Sequence, residues 1–216
     1  MRFVAYYFHY SRSTKTIHMR KILLPLAFAC LAAVACNNQA SRNAQDTLSG
    51  EDTGMTKDMA QDVNKETFEN DSVRGATNNI SKAAEDGLYE VKLLSDGQAK
   101  TTNAAIKKMA AHMLKAHEKL NKELAELTAK KGITIPTVLE DSKIRDIQQI
   151  TDKTGTDFDK AFVDELVDKH EKAINLFENT ANDATDPDIK QLFTKAIPEL
   201  KEHLTMAKKE QEKLKK

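Results

Sequence analysis

From Asn79 to the C-terminus, apolar residues recur every three or four positions in four long segments, and this spacing dictates the fold class. An α-helix turns once per 3.6 residues, so such a pattern gathers side chains that need burial onto one face. The first segment, about 80–95, carries Ile80, Ala84, Gly87, Leu88, Val91 and Leu94, and Asp96-Gly97 is expected to end it. The second takes Thr101 or Thr102 as its cap and runs to Lys131 through Ile106, Ala110, Met113, Leu114, Leu120, Leu124 and Leu127. Gly132 follows as its stop. The third opens on Thr156 with Asp159 in a variant capping box, and carries Phe162, Val163, Leu166, Val167, Ile174 and Phe177. The fourth starts at Asp186-Pro187, a capping residue before the one favoured at the first helical position. Its stripe is Ile189, Phe193, Ala196, Leu200, Leu204 and Ala207, and Pro198 inside it is expected to kink the helix.

Four amphipathic helices with little strand signal predict an all-α antiparallel four-helix bundle over residues 79–216. The stretch 132–155 between the second and third helices is broken by Pro136, and a short connector helix is predicted at about 139–150. A link of that length is unusual between neighbouring helices. It suits a single crossover running along the bundle, as in ferritin-like folds.

The N-terminal quarter is different material. Met19-Arg20-Lys21, an apolar run from Ile22 to Ala35, and then Cys36 form a short export signal with small residues before the cut. A Cys immediately after the cut predicts a lipoprotein: lipidation at Cys36 would anchor the chain in a membrane of the cell envelope, facing the periplasm or at the outer membrane. Ala33-Val34-Ala35 also suits ordinary signal peptidase, which would release the chain unlipidated. Residues 1–18 hold no acid and precede a good start at Met19, so they read as an upstream extension. Residues 37–78 are rich in Asn, Asp, Ser, Thr and Gly, with isolated apolar residues. Such a segment buries too little to offset its conformational entropy and is expected to be a flexible linker, with a short helix at about 56–68 only weakly signalled. As a coil of about forty residues it would reach roughly 35 Å.

The formal charge of zero conceals an asymmetry. Five of the 33 basic residues (Arg2, Arg12, Lys15, Arg20 and Lys21) lie before Cys36, leaving 28 against 33 acids, a net charge of −5. That balance argues against nucleic acid as a partner, since binding it needs clustered positive charge. Both cysteines, Cys30 and Cys36, lie in the signal region, so the domain has no thiol for disulfides, catalysis or metal. There is no Gly-x-Gly phosphate loop, His-Glu-x-x-His pair or Gly-x-Ser-x-Gly elbow. No catalytic residue is identified, and the reading leans away from an enzyme.

The remaining chemistry lies in histidines. At 100° per residue, His117 falls about 30° from the centre of the second stripe, His170 almost at the centre of the third, and His203 within about 60° of the fourth's. His112, five residues before His117, is rotated by about 140° and is expected to lie outside their site. On the first helix Glu90 stands at the edge of the apolar face, with Gly87 leaving space one turn away. Glu90, His117, His170 and His203 converging in a bundle core would suit iron, zinc or copper. The bland alternative is three separately satisfied core histidines at different heights. Leu114, Val167 and Leu200 stand three residues before the histidines, where the usual di-iron pattern has Glu. Glu199 is a conceivable substitute but is expected to be exposed.

Four motifs carry a family resemblance. They are Ala83-Ala84-Glu85-Asp86-Gly87-Leu88-Tyr89-Glu90-Val91; Met113 through His117 with Asn121, Glu123 and Leu124; Phe158-Asp159-Lys160-Ala161-Phe162 leading to His170; and Pro198-Glu199-Leu200-Lys201-Glu202-His203-Leu204. In this order they resemble the family called domain of unknown function 4142, over about 79–209. The resemblance implies an exported four-helix ferritin-like domain with the three histidines at recurring motif positions. It implies no established activity or ligand. Two functions stay open: an envelope lipoprotein that holds a transition metal, or a structural or protein-interaction module without metal or catalysis. Association of identical subunits is left open as well.

Overall fold

The computed structural model describes residues 54–216. The extension 1–18, the signal 19–36 with Cys36, and the linker up to residue 53 lie outside the described residues. Among the described residues there are six helices and no strands. They are α1 (Lys57–Thr67), α2 (Asp71–Lys100), α3 (Ala104–Lys131), α4 (Asp141–Thr151), α5 (Gly155–Asp183) and α6 (Pro187–Leu214). No helix among them is long and apolar enough to cross a membrane.

The four long helices form the bundle. α2 packs on α3 and α5, and α6 packs on α5 and α3. Two polar contacts fix their directions. Thr101 Oγ1, in the loop after α2, donates to Asp159 Oδ1 near the start of α5 at 2.6 Å. At the opposite end, Lys131 Nζ closes α3 onto Asp186, the cap of α6, at 2.7 Å. Hence α3 and α5 start at the same end and run parallel, while α2 and α6 run the other way. Residues 132–154, with α4, must travel the length of the bundle. This is the single-crossover arrangement of ferritin-like folds, as the long connector predicts.

Several boundaries differ from expectation, each for a physical reason. The flexible linker was expected to reach residue 78, yet residues 57–67 and 71–78 are helical. Asn64, fully buried in α1, donates to Thr134 O at 2.8 Å and accepts from Thr134 N at 2.8 Å. Its amide also reaches Ser81 Oγ of α2 at 3.3 Å. Met55 O accepts from the backbone of Thr137 and Val138. A polar pin thus holds α1 against α2 and the crossover, and a hydrophobic pattern cannot register it.

α2 does not stop at Asp96-Gly97 but runs to Lys100. Gly97 is there for contact: a Cβ on it would lie 2.3 Å from the ring of Phe162. The cap of α3 is Asn103, whose side chain accepts from Ala105 N and Ile106 N, because the Thr101 hydroxyl is committed to Asp159. For the same reason no capping box forms at Thr156; α5 begins after Thr154 without a side-chain cap bond. Gly132 stops α3 in the left-handed region at φ 67°, and Asp186 caps α6 through Asp188 N and Ile189 N, both as expected. α6 continues through Pro198, which is exposed.

The interior divides into two apolar clusters. One gathers Leu93, Leu94, Ile106, Met113, Phe158, Phe162 and Ala207 towards the end where α3 and α5 begin. The other gathers Ile80, Leu124, Ile174, Phe177, Phe193 and Leu200 towards the opposite end. In all four helices the residue between the clusters is polar: Glu90, His117, His170 and His203.

Candidate metal centre

Each of these four residues comes from a different long helix at one level of the bundle, and each is buried, at 3, 3, 0 and 1 % exposure respectively. The three imidazole rings form a near-equilateral group, with centroids 5.3 Å apart for His117–His170 and for His117–His203, and 5.4 Å for His170–His203. One ring nitrogen from each lies within 4.8 Å of the other two. The reading of three histidines at different heights is therefore overturned.

Hydrogen positions follow from the contacts. His170 Nδ1 lies 2.8 Å from Leu166 O. A carbonyl only accepts, so Nδ1 carries the hydrogen and, in the neutral ring, Nε2 carries a lone pair. That Nε2 faces His117 Nε2 at 3.3 Å. On the other side of His117, Nδ1 lies 3.1 Å from Glu90 Oε2. A neutral His117 has one hydrogen for these two acceptors, so one contact brings two lone pairs together. Protonation would serve both, but burial lowers the pKa of His117, against the opposing pull of Glu90. The chain from Leu166 to Glu90 is thus one positive charge short.

His203 strengthens the point. Both its ring nitrogens are buried without a hydrogen-bond partner. Burial, and then the neighbouring His117, His170 and His112, push its pKa down to about 3. Glu90 Oε1 lies 3.3 Å from His170 Nδ1, yet the single hydrogen of that nitrogen goes to Leu166, so Oε1 also lacks a donor. Buried polar atoms are nearly always paired, and a cluster of exceptions calls for an ion, a water or a chemical role.

Chemically, three neutral imidazoles are a borderline donor set suited to zinc, copper, iron or nickel. With metal–nitrogen bonds of about 2.0–2.1 Å, tetrahedral geometry separates ligand nitrogens by about 3.3–3.4 Å. The spacing of 3.3 Å between His117 and His170 already meets that value. Three protein ligands leave a position open for water or another small ligand. Beside Glu90 and His117 a cavity of about 20 Å³, lined also by Gly87 and Asn121, has room for a single water.

The structure brings together all four residues singled out from the sequence, but gives Glu90 a distinct place. Its carboxylate sits against the Nδ1 atoms of His117 and His170, on the far side of those rings from the Nε2 pair. Glu199 is exposed, as expected. His112 lies outside the three-histidine group, yet its ring meets His203 edge-on with centroids 5.7 Å apart. Angles on α3 alone missed this contact because it depends on how closely α6 approaches.

No curated protein and no solved structure matches the chain. The sequence pattern of the family described as Domain of unknown function (DUF4142) matches residues 63–209, a span holding the four polar residues of the central layer. With the four motifs and the single-crossover bundle in agreement, the chain belongs to this family.

Proposed function

We propose that the polar layer of the bundle is a transition-metal site in which His117, His170 and His203 are the ligands and Glu90 orients two of them. The observation that carries this reading is the 3.3 Å approach of two imidazole Nε2 atoms whose Nδ1 sides face a carbonyl and a carboxylate. A metal ion between those nitrogens supplies the missing positive charge and gives His203 a partner. Carboxylate or carbonyl groups on the outer nitrogen of ligating histidines fix the tautomer and raise ligand basicity. Glu90 and Leu166 O stand in those positions. Glu90 also contributes one negative charge beside an otherwise neutral donor set.

The test is elemental analysis of the chain purified without chelator. One zinc, copper or iron per chain is expected, and its loss in His117→Ala/His170→Ala. Protein that keeps its helicity but retains no metal after exposure to each of these ions would favour the structural or interaction module instead.

The same proposal places the domain in the cell envelope, held to a membrane by lipid on Cys36. Its support is the basic and apolar run ending at that cysteine, with no other cysteine downstream. Labelling with a fatty acid should mark the wild type and not Cys36→Ser. Equal labelling of both would remove the anchor.

A further inference from the structure

A second concavity lies on the surface between α3 and α6. It has a volume of about 340 Å³ and is lined by Met109, His112, Glu202, Met206 and Glu210, with Lys108 and Lys209 also on its wall. The two carboxylates and two ammonium groups offset each other, so a long-range field is not what distinguishes it. Its donor types are. Thioether, imidazole and carboxylate together suit passing transition metals, with the soft Met sulfurs favouring copper(I).

His112 is exposed at this pocket, and its ring abuts His203, which is 1 % exposed and has both nitrogens free of hydrogen bonds. The imidazole of His112 therefore stands between solvent and the buried centre. The small cavity beside Glu90 and His117 offers another approach, but at about 20 Å³ it holds one water and lacks a surface imidazole or thioether.

We infer that a transition-metal ion reaches the buried histidines through the α3–α6 pocket, with His112 binding it first and passing it to His203. This rests on the metal-site reading above. Exchange of one imidazole for the next avoids stripping the ion bare in an apolar core, which is the costly step for a divalent cation. His112 is then a transfer residue and not a member of the final ligand set. It governs the rate of loading and release, not the occupancy at equilibrium.

The experiment is stopped-flow loading of the metal-stripped full chain with cobalt(II), followed by its visible absorption. His112→Ala should load at least ten-fold more slowly than wild type yet reach the same one cobalt per chain. His112→Cys, which keeps a donor, should recover part of the rate; a side chain that merely fills space would not show that rescue. Equal or faster loading in His112→Ala, with full occupancy, would overturn the transfer role and leave the centre standing. Absence of cobalt from wild-type protein would remove both.

Discussion

Both ring nitrogens of His203 are buried without partners, and a polar atom left that way costs about 1–3 kcal/mol. In metal-free protein, His203→Leu should therefore raise stability by about 1–3 kcal/mol, read as an increase in Tm, while abolishing metal retention. A fall in Tm would mean that His203 has a partner after all. Glu90→Gln keeps the shape but removes the charge facing His117 and His170, and should weaken metal affinity about 10–100-fold. Acid acts in a known direction. His203 titrates at about 3 when folded and near 6.5 when unfolded, so between those values the unfolded chain binds the extra proton. Stability of the metal-free protein should be flat above about pH 6.5 and fall by about 1.4 kcal/mol per pH unit per such group as pH drops towards 3. His117, also lowered by burial, steepens the same slope. Denaturant midpoints at pH 7, 6 and 5 check this, and a constant midpoint would contradict it. The inward position of these residues was legible from helical angles alone. The outer placement of Glu90 and the contact of His112 with His203 were not, because ring rotation and helix approach are set by tertiary packing.

The helices themselves show where a periodic reading holds and where it breaks. Apolar stripes, the stop at Gly132 and the start at Asp186-Pro187 all transfer directly, since each depends on one helix's own backbone needs. Gly97 misled because its role is between helices. Gly97→Ala gains about 1 kcal/mol of helix propensity but drives a methyl into Phe162, a fully buried ring with no room to move. Overpacking of this kind costs about 1–3 kcal/mol, so the variant should be less stable on balance. Gly87→Ala is the control. The atoms it meets are those of the Asn121 amide, at the end of a partly exposed side chain that can turn aside, so its Tm should stay near wild type. Equal loss in both would show that Phe162 is not the reason for Gly97. At α1, the helix that the sequence signals only weakly depends on Asn64, whose side-chain amide pairs with both backbone polar groups of Thr134. Asn64→Ala should cost about 1–3 kcal/mol and expose 57–67 to limited proteolysis.

Across the described residues, the bundle holds two apolar clusters separated by one polar layer that takes a residue from each long helix. Such a layer is expensive in an empty bundle. It becomes favourable when an ion binds the folded state alone, which adds about 2.7 kcal/mol at a hundredfold excess over Kd. X-ray absorption at the metal edge of the chelator-free chain reads out whether His117, His170 and His203 hold the ion. An inner shell of three imidazole nitrogens at about 2.0–2.1 Å is expected, falling apart in His170→Ala. An inner shell without imidazole scattering, or one unchanged in that variant, would contradict this ligand set.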